Sequence, residues 1–73
     1  MHTFKRQTYS GQVVEFIKRC ILDGELAPGE QVKEVTLSER LGISRAPIRE
    51  ALQILTQDGK YKLWKASQWV TSK

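Results

Sequence analysis

The sequence predicts a mainly helical fold with a small β appendage, three helices followed by a β-hairpin. Three observations carry that expectation. Apolar residues recur at helical spacing in two stretches, Val13-Phe16-Ile17-Cys20-Ile21 and Ile48-Ala51-Leu52-Leu55. The period changes after Gly59, where Tyr61, Leu63, Trp64, Trp69 and Val70 are strand formers interleaved with Lys60, Lys62 and Lys65. The chain has 73 residues, 40% of them hydrophobic, which suits one small core and excludes a disordered tail or several domains.

Residues 1–9 show no period and are expected to form a flexible N-terminal arm. Ser10 is the expected N-cap of a first helix over 10–23, because its hydroxyl can accept from the orphan amides of the next turn. Gly24 can supply the left-handed residue that ends it. Pro28-Gly29 suits a type II turn, since proline fixes φ and glycine permits a positive one. Gln31 to Val35 reads as a short extended segment, with Leu26 and Val32 tucked into the core on either side of the turn. Thr36-Leu37-Ser38-Glu39 has the capping-box pattern and predicts a brief second helix that Gly42 closes. Leu37 and Leu41 would be its buried edge.

Ser44 is the expected N-cap of the third helix. Pro47 falls in its first turn, where a missing N–H costs nothing, and Gly59 follows its end. Projected on a helical wheel, Ile48, Ala51, Leu52, Ile54 and Leu55 share one face, while Arg45, Ala46, Arg49, Glu50, Gln53, Thr56 and Gln57 share the other. Glu50 reads as a partner for a neighbouring arginine. Lys60 to Lys73 then reads as a two-stranded hairpin with a weak turn at Ala66-Ser67.

Charge is unevenly placed. Up to Ile43, the basic Lys5, Arg6, Lys18, Arg19, Lys33 and Arg40 are matched by Glu15, Asp23, Glu25, Glu30, Glu34 and Glu39. From Ser44 on, Arg45, Arg49, Lys60, Lys62, Lys65 and Lys73 face only Glu50 and Asp58. The whole formal charge of +4 therefore lies in the C-terminal part, where it would attract a polyanion.

A short helix, a tight turn containing Gly42 and a longer helix make a helix-turn-helix, and the hairpin after it makes the fold a winged one. Reading a duplex requires a helix that enters the major groove at its N-terminal end with its apolar back on the body. Arg45 and Arg49 lie on one ridge of that end. An arginine fork matches guanine O6 and N7, or a phosphate, in bidentate fashion. Ser44 and the first helical amides favour a phosphate, and Ala46 is small enough for close approach. The DNA-binding candidates are Ser44, Arg45, Ala46, Pro47, Arg49, Thr36, Gln53, Lys62 and Lys65.

The segments Leu26-Ala27-Pro28-Gly29-Glu30-Gln31-Val32-Lys33-Glu34, Leu37-Ser38-Glu39-Arg40-Leu41-Gly42-Ile43-Ser44-Arg45-Ala46-Pro47-Ile48-Arg49-Glu50-Ala51-Leu52, Leu55 and Asp58-Gly59 resemble the GntR family of bacterial transcription regulators. The pattern is most similar to the FadR or FCD branch, whose effector domain is all-helical. The resemblance spans about Val13 to Gly59, and its Ser-Arg-x-Pro-x-Arg-Glu-Ala-Leu segment is highly specific. It implies a winged helix-turn-helix over residues 10–73 and sequence-specific binding of double-stranded DNA at a palindromic operator, as part of a metabolite-responsive regulator. It also implies a homodimer of the full-length protein, with dimerisation of this stretch alone weak or absent. A small-molecule effector would bind a separate C-terminal domain beyond Lys73. Two features depart from the family pattern. Lys60 and Tyr61 stand where the family has an apolar pair, and no glycine follows Gly59 to tip the wing, near where Ser67 falls.

Other functions fit less well. A winged-helix protein-interaction module without DNA binding would leave the arginine ridge unexplained. No nucleophile–base pair, metal-ligand cluster or phosphate-cradling glycine loop is present, so neither an enzyme nor a cofactor is expected. His2 is alone as a potential metal ligand. Cys20, on the apolar stripe, is expected to be a core thiol. A single cysteine fits a reducing compartment, no signal-peptide core stands at Met1 to Ser10, and no apolar run exceeds three residues. A cytoplasmic location without membrane association is therefore expected. Trp64 and Trp69 could stack on bases, but packing of the wing explains them more simply.

Overall fold

The apolar stripe from Val13 to Ile21 winds into α1 (Tyr9–Leu22), and the other elements follow as β1 (Gln31–Lys33), α2 (Glu34–Leu41), α3 (Arg45–Gln57), β2 (Tyr61–Lys65) and β3 (Gln68–Thr71). The computed structural model describes residues 8–65 and 68–72. The predicted arm, with His2, thus lies almost wholly outside the described residues, as do the Ala66-Ser67 turn and the Lys65 side chain.

The strands form one antiparallel sheet in the order β1-β3-β2. The expected two-stranded hairpin is thus extended by β1, which pairs Val32 with Trp69 across β3. Around Trp64 the β2–β3 register shifts, with Leu63 opposite Trp69 but Lys65 opposite Gln68. Such a bulge leaves one strand a residue longer than its partner.

The core sits where α1, α3 and the sheet meet. Val13, Val14, Ile17, Val32, Leu37, Ile48, Ala51, Leu52, Leu55, Tyr61 and Trp69 are buried together. Cys20 is buried as expected of a core thiol. Ile54 departs from the projected apolar face and is exposed. It lies at the edge of the stripe, next to the polar face. Tyr61, at the position where the sequence departs from the family's apolar pair, is fully packed into the core. Its ring takes the apolar role, while its hydroxyl has no hydrogen-bond partner among the described residues.

Two expected helix starts are corrected. Thr8, not Ser10, caps α1, and its Oγ1 accepts from the Gly11 amide at 3.0 Å. Tyr9 therefore belongs to the helix rather than to the arm. The capping box at Thr36 does not form, because α2 begins at Glu34 with Lys33 as its N-cap and no side-chain cap bond. Thr36 lies inside the helix. A carboxylate in the first turn suits the helix dipole, and tertiary partners of Glu34 outweigh the local cap.

The turns follow the glycines. Gly29, with φ of 86°, completes the Ala27–Glu30 turn, in which the Glu30 amide donates to the Ala27 carbonyl at 3.0 Å. Thr71 at the end of β3 straps this turn down. Its hydroxyl donates to the Ala27 carbonyl and accepts from the Glu30 amide at 3.1 Å. Gly42, with φ of 71°, ends α2 and donates to the Ser38 carbonyl at 2.9 Å. The Ser38 hydroxyl donates to the Ile43 carbonyl, so one serine clamps the turn between α2 and α3.

Candidate nucleic-acid interface

Ser44 holds the N-cap position of α3 in an extended conformation, but its side chain makes no cap bond. The expected capping role of its hydroxyl is therefore not observed. Pro47 falls in the first turn of the helix and is half-buried. Behind the helix Ile48, Ala51, Leu52 and Leu55 are buried, which fixes its rotation and turns the opposite ridge outward. On that ridge Arg45, Ala46, Arg49, Glu50 and Gln53 line one shallow surface depression. The structure thus brings Arg45, Ala46, Arg49 and Gln53 together.

Beneath the ridge lies a group that was not among the sequence candidates. Glu34 is only 1% exposed. Its Oε1 accepts from Arg45 Nη2 at 3.1 Å and from Arg49 Nη2 at 3.1 Å. Its Oε2 accepts from Arg49 Nε at 3.1 Å and from the Trp69 indole nitrogen at 3.0 Å. A carboxylate has about four lone-pair sites, and these four donors fill them. Glu34, not the exposed Glu50, is the carboxylate that holds both arginines.

The arginines are not drawn into the interior by this. Their side chains remain 44% and 53% exposed for Arg45 and Arg49. Arg49 meets the carboxylate side-on, through Nε and Nη2. Its other edge, Nη1 with the second Nη2 hydrogen, makes no hydrogen bond among the described residues. Burial alone would push the Glu34 carboxyl pKa up. The bonds from Arg49, Trp69 and Arg45 more than reverse that and hold it below the ordinary glutamate value. The same carboxylate raises the Arg49 pKa. Both shifts favour the charged forms, so the pair is ionised near neutral pH.

Chain topology explains the convergence. β1 runs beside β3, so Val32 lies opposite Trp69, and Glu34 follows Val32 by two residues on the same buried phase. Strand alternation could have found it, because it sets a carboxylate on the inward side of a segment expected to be extended. The lack of a local partner makes such a residue easy to pass over.

The remaining candidates are more scattered. Thr36 is exposed on α2, and it lines a different depression with Phe16, Cys20, Lys33, Leu37 and Arg40. Lys62 is exposed on β2. The side chain of Lys65 lies outside the described residues. Trp69 is buried in the core, as packing of the wing required, whereas Trp64 at the bulge is 46% exposed. Burial and then the nearby Glu25 push the Cys20 thiol pKa up, which keeps it protonated. No group of metal-ligating side chains occurs among the described residues, and no helix there is long and apolar enough to cross a membrane.

Known proteins bear on this geometry. Residues 9–67 match the family model for bacterial regulatory proteins of the gntR family. The chain is 40% identical over 58 residues to YdhC, an HTH-type transcriptional regulator of Bacillus subtilis, covering 80% of this chain and 26% of the relative. It is 38% identical over 56 residues to the fatty acid metabolism regulator protein of Pasteurella multocida, covering 75% and 23%. Among solved structures, E. coli McbR/YncC superposes with a TM-score of 0.84 at 29% identity, covering 90% of this chain and 31% of that one. YtrA of Sulfolobus acidocaldarius, a GntR-family transcription factor, shares the fold with a TM-score of 0.79 at 21% identity, covering 94% and 73%. The chain spans about a quarter of the length of the two sequence relatives. The protein-interaction reading is not favoured, since the two sequence relatives are named as a transcriptional regulator and a metabolism regulator. The chain belongs to the gntR family of bacterial regulatory proteins, as its winged helix-turn-helix DNA-binding domain.

Proposed function

We propose that this domain docks α3 into the major groove of an operator and serves a longer, metabolite-responsive transcription regulator. In this reading Arg45 and Arg49 donate to base edges or phosphates, with Ser44, Ala46 and Pro47 at the groove-facing start and Gln53 one turn further on. Thr36, Lys62 and Lys65 would lie over flanking phosphates. The observation that carries the reading is the outward arginine ridge on a helix packed from behind through Ile48, Ala51, Leu52 and Leu55, directly after a glycine turn. The full-length protein would dimerise on a palindromic site, and its effector domain would follow this one. Similarity to the fatty acid metabolism regulator supports placing it in the branch with a helical effector domain.

The test is selection from a random duplex pool, followed by binding measurements on the enriched duplex across salt concentrations. We expect one preferred motif. Affinity should fall by roughly 0.9 log units per contacted phosphate for each log unit of salt. No enrichment, together with salt-independent association, would remove the DNA-binding reading.

A further inference from the structure

We infer that Glu34 is a positioning residue that sets base discrimination by holding Arg45 and Arg49 on a shared buried carboxylate, an inference that rests on the DNA-binding reading above. Free arginine side chains sample many rotamers, and ordering one on a ligand costs up to about 2 kcal/mol of conformational entropy. Here the ordering is done before DNA arrives. Arg49 is gripped along its Nε–Nη2 edge by two bonds of 3.1 Å, which fixes both the position and the plane of the guanidinium. Its Nη1–Nη2 edge is the second fork of the same planar group, and it is the edge left to meet a pair of acceptors. Arg45 is tethered to the same carboxylate through one Nη. Trp69 fastens the carboxylate to the central strand of the sheet, so the wing and the recognition helix share this anchor.

Charge makes the inference separable from simple attraction. Glu34 places one negative charge against two guanidinium groups, so it weakens the pull of this end on any polyanion. A group that merely tuned attraction would therefore be better absent. A positioning group has opposite effects on the two kinds of binding. Its removal should strengthen or leave unchanged the binding of arbitrary DNA and weaken the binding of the preferred sequence.

The experiment compares the protein with its Glu34→Gln, Glu34→Asp and Glu39→Gln variants. The probes are the duplex enriched by the unmodified protein and a scrambled duplex of the same composition. Circular dichroism checks that each variant is folded. Glu39 is an exposed carboxylate on α2; its neutralisation should raise both affinities together and keep their ratio. Glu34→Gln should lower the ratio of preferred to scrambled binding at least about tenfold, the scale of one lost base-reading contact, with scrambled binding unchanged or raised. Glu34→Asp keeps the charge but draws it back by one methylene, and should lower the ratio in the same direction. A folded Glu34 variant that keeps the ratio within about twofold overturns the inference. So does a proportional fall on both probes, or failure of both Glu34 variants to fold, since either assigns Glu34 to stability alone. If the unmodified protein enriches no duplex, it is the DNA-binding reading that fails.

Discussion

The Arg49 guanidinium lies side-on against the Glu34 carboxylate, with Nε 3.1 Å from one oxygen and Nη2 3.1 Å from the other. A surface residue of the recognition helix is thereby also a partner of a buried charge. This changes what mutation of the arginines is expected to do.

From sequence alone, alanine at Arg45 and Arg49 should weaken DNA binding without disturbing the fold. The structure makes the double substitution a folding lesion as well. It would leave Glu34 buried with only the Trp69 indole as donor, and an uncompensated buried carboxylate is strongly unfavourable. Either single variant keeps one arginine on the carboxylate and should stay folded. We expect the Arg45→Ala, Arg49→Ala double variant to lose more stability than the two singles summed, and to regain part of it when Glu34→Gln is added. Urea unfolding of the four variants checks this, and simple additivity would count against the shared anchor.

The Glu34 carboxyl also predicts a pH response. Its pKa is lower folded than unfolded, so at acid pH the unfolded chain binds the extra proton. Its contribution to stability is complete above the ordinary value of 4.5 and is lost as pH falls through the lowered folded value. The stability difference between the protein and Glu34→Gln should therefore be constant from neutrality down to about 4.5 and shrink below it. Urea midpoints measured from neutral to acid pH report it. A difference that persists unchanged into strong acid would mean that the carboxylate is not the group responsible.

Leu52 is fully buried at the centre of the core. Leu52→Ala should cost about 2–5 kcal/mol through lost transfer energy and the cavity left behind. A domain this small has little stability to spare. Thermal denaturation should show a large fall in midpoint or no cooperative transition. A shift of only a few degrees would imply that neighbours collapse into the space.

Gly42 adopts a left-handed backbone at φ of 71°, and a Cβ there would meet nothing within 4 Å. Any cost of Gly42→Ala is thus one of backbone conformation, roughly 1–2 kcal/mol. Asn tolerates that region better, so Gly42→Asn should be the milder change. Equal losses for the two variants in urea unfolding would show that the turn is constrained by something other than φ.

Much of this was legible in the sequence because it depends on neighbours in the chain. The apolar stripe of α3 foretold which side packs, and it failed only at Ile54, at the edge of the stripe, which is exposed. Gly24, Gly42 and Gly59 marked helix ends because each needs a positive φ. The helix starts were harder. Thr8 and Ser10 are equally plausible caps locally, and the Thr36 capping box lost to contacts that Glu34 makes far along the chain. Pairing of the three-residue β1 with β3 depends on the Thr71 strap and on Trp69, both more than thirty residues away. The shared carboxylate joins α2, α3 and β3, and no window of sequence contains all three.

Amide shift mapping by nuclear magnetic resonance, with the enriched duplex titrated into the labelled protein, is the sharpest test of whether the α3 ridge meets DNA. The largest shifts are expected at Ser44, Arg45, Ala46 and Arg49, together with a change at the Trp69 indole N–H as the arginines engage DNA. Shifts centred instead on the exposed side of α1, with the α3 ridge and the Trp69 indole unmoved, would contradict contact through α3.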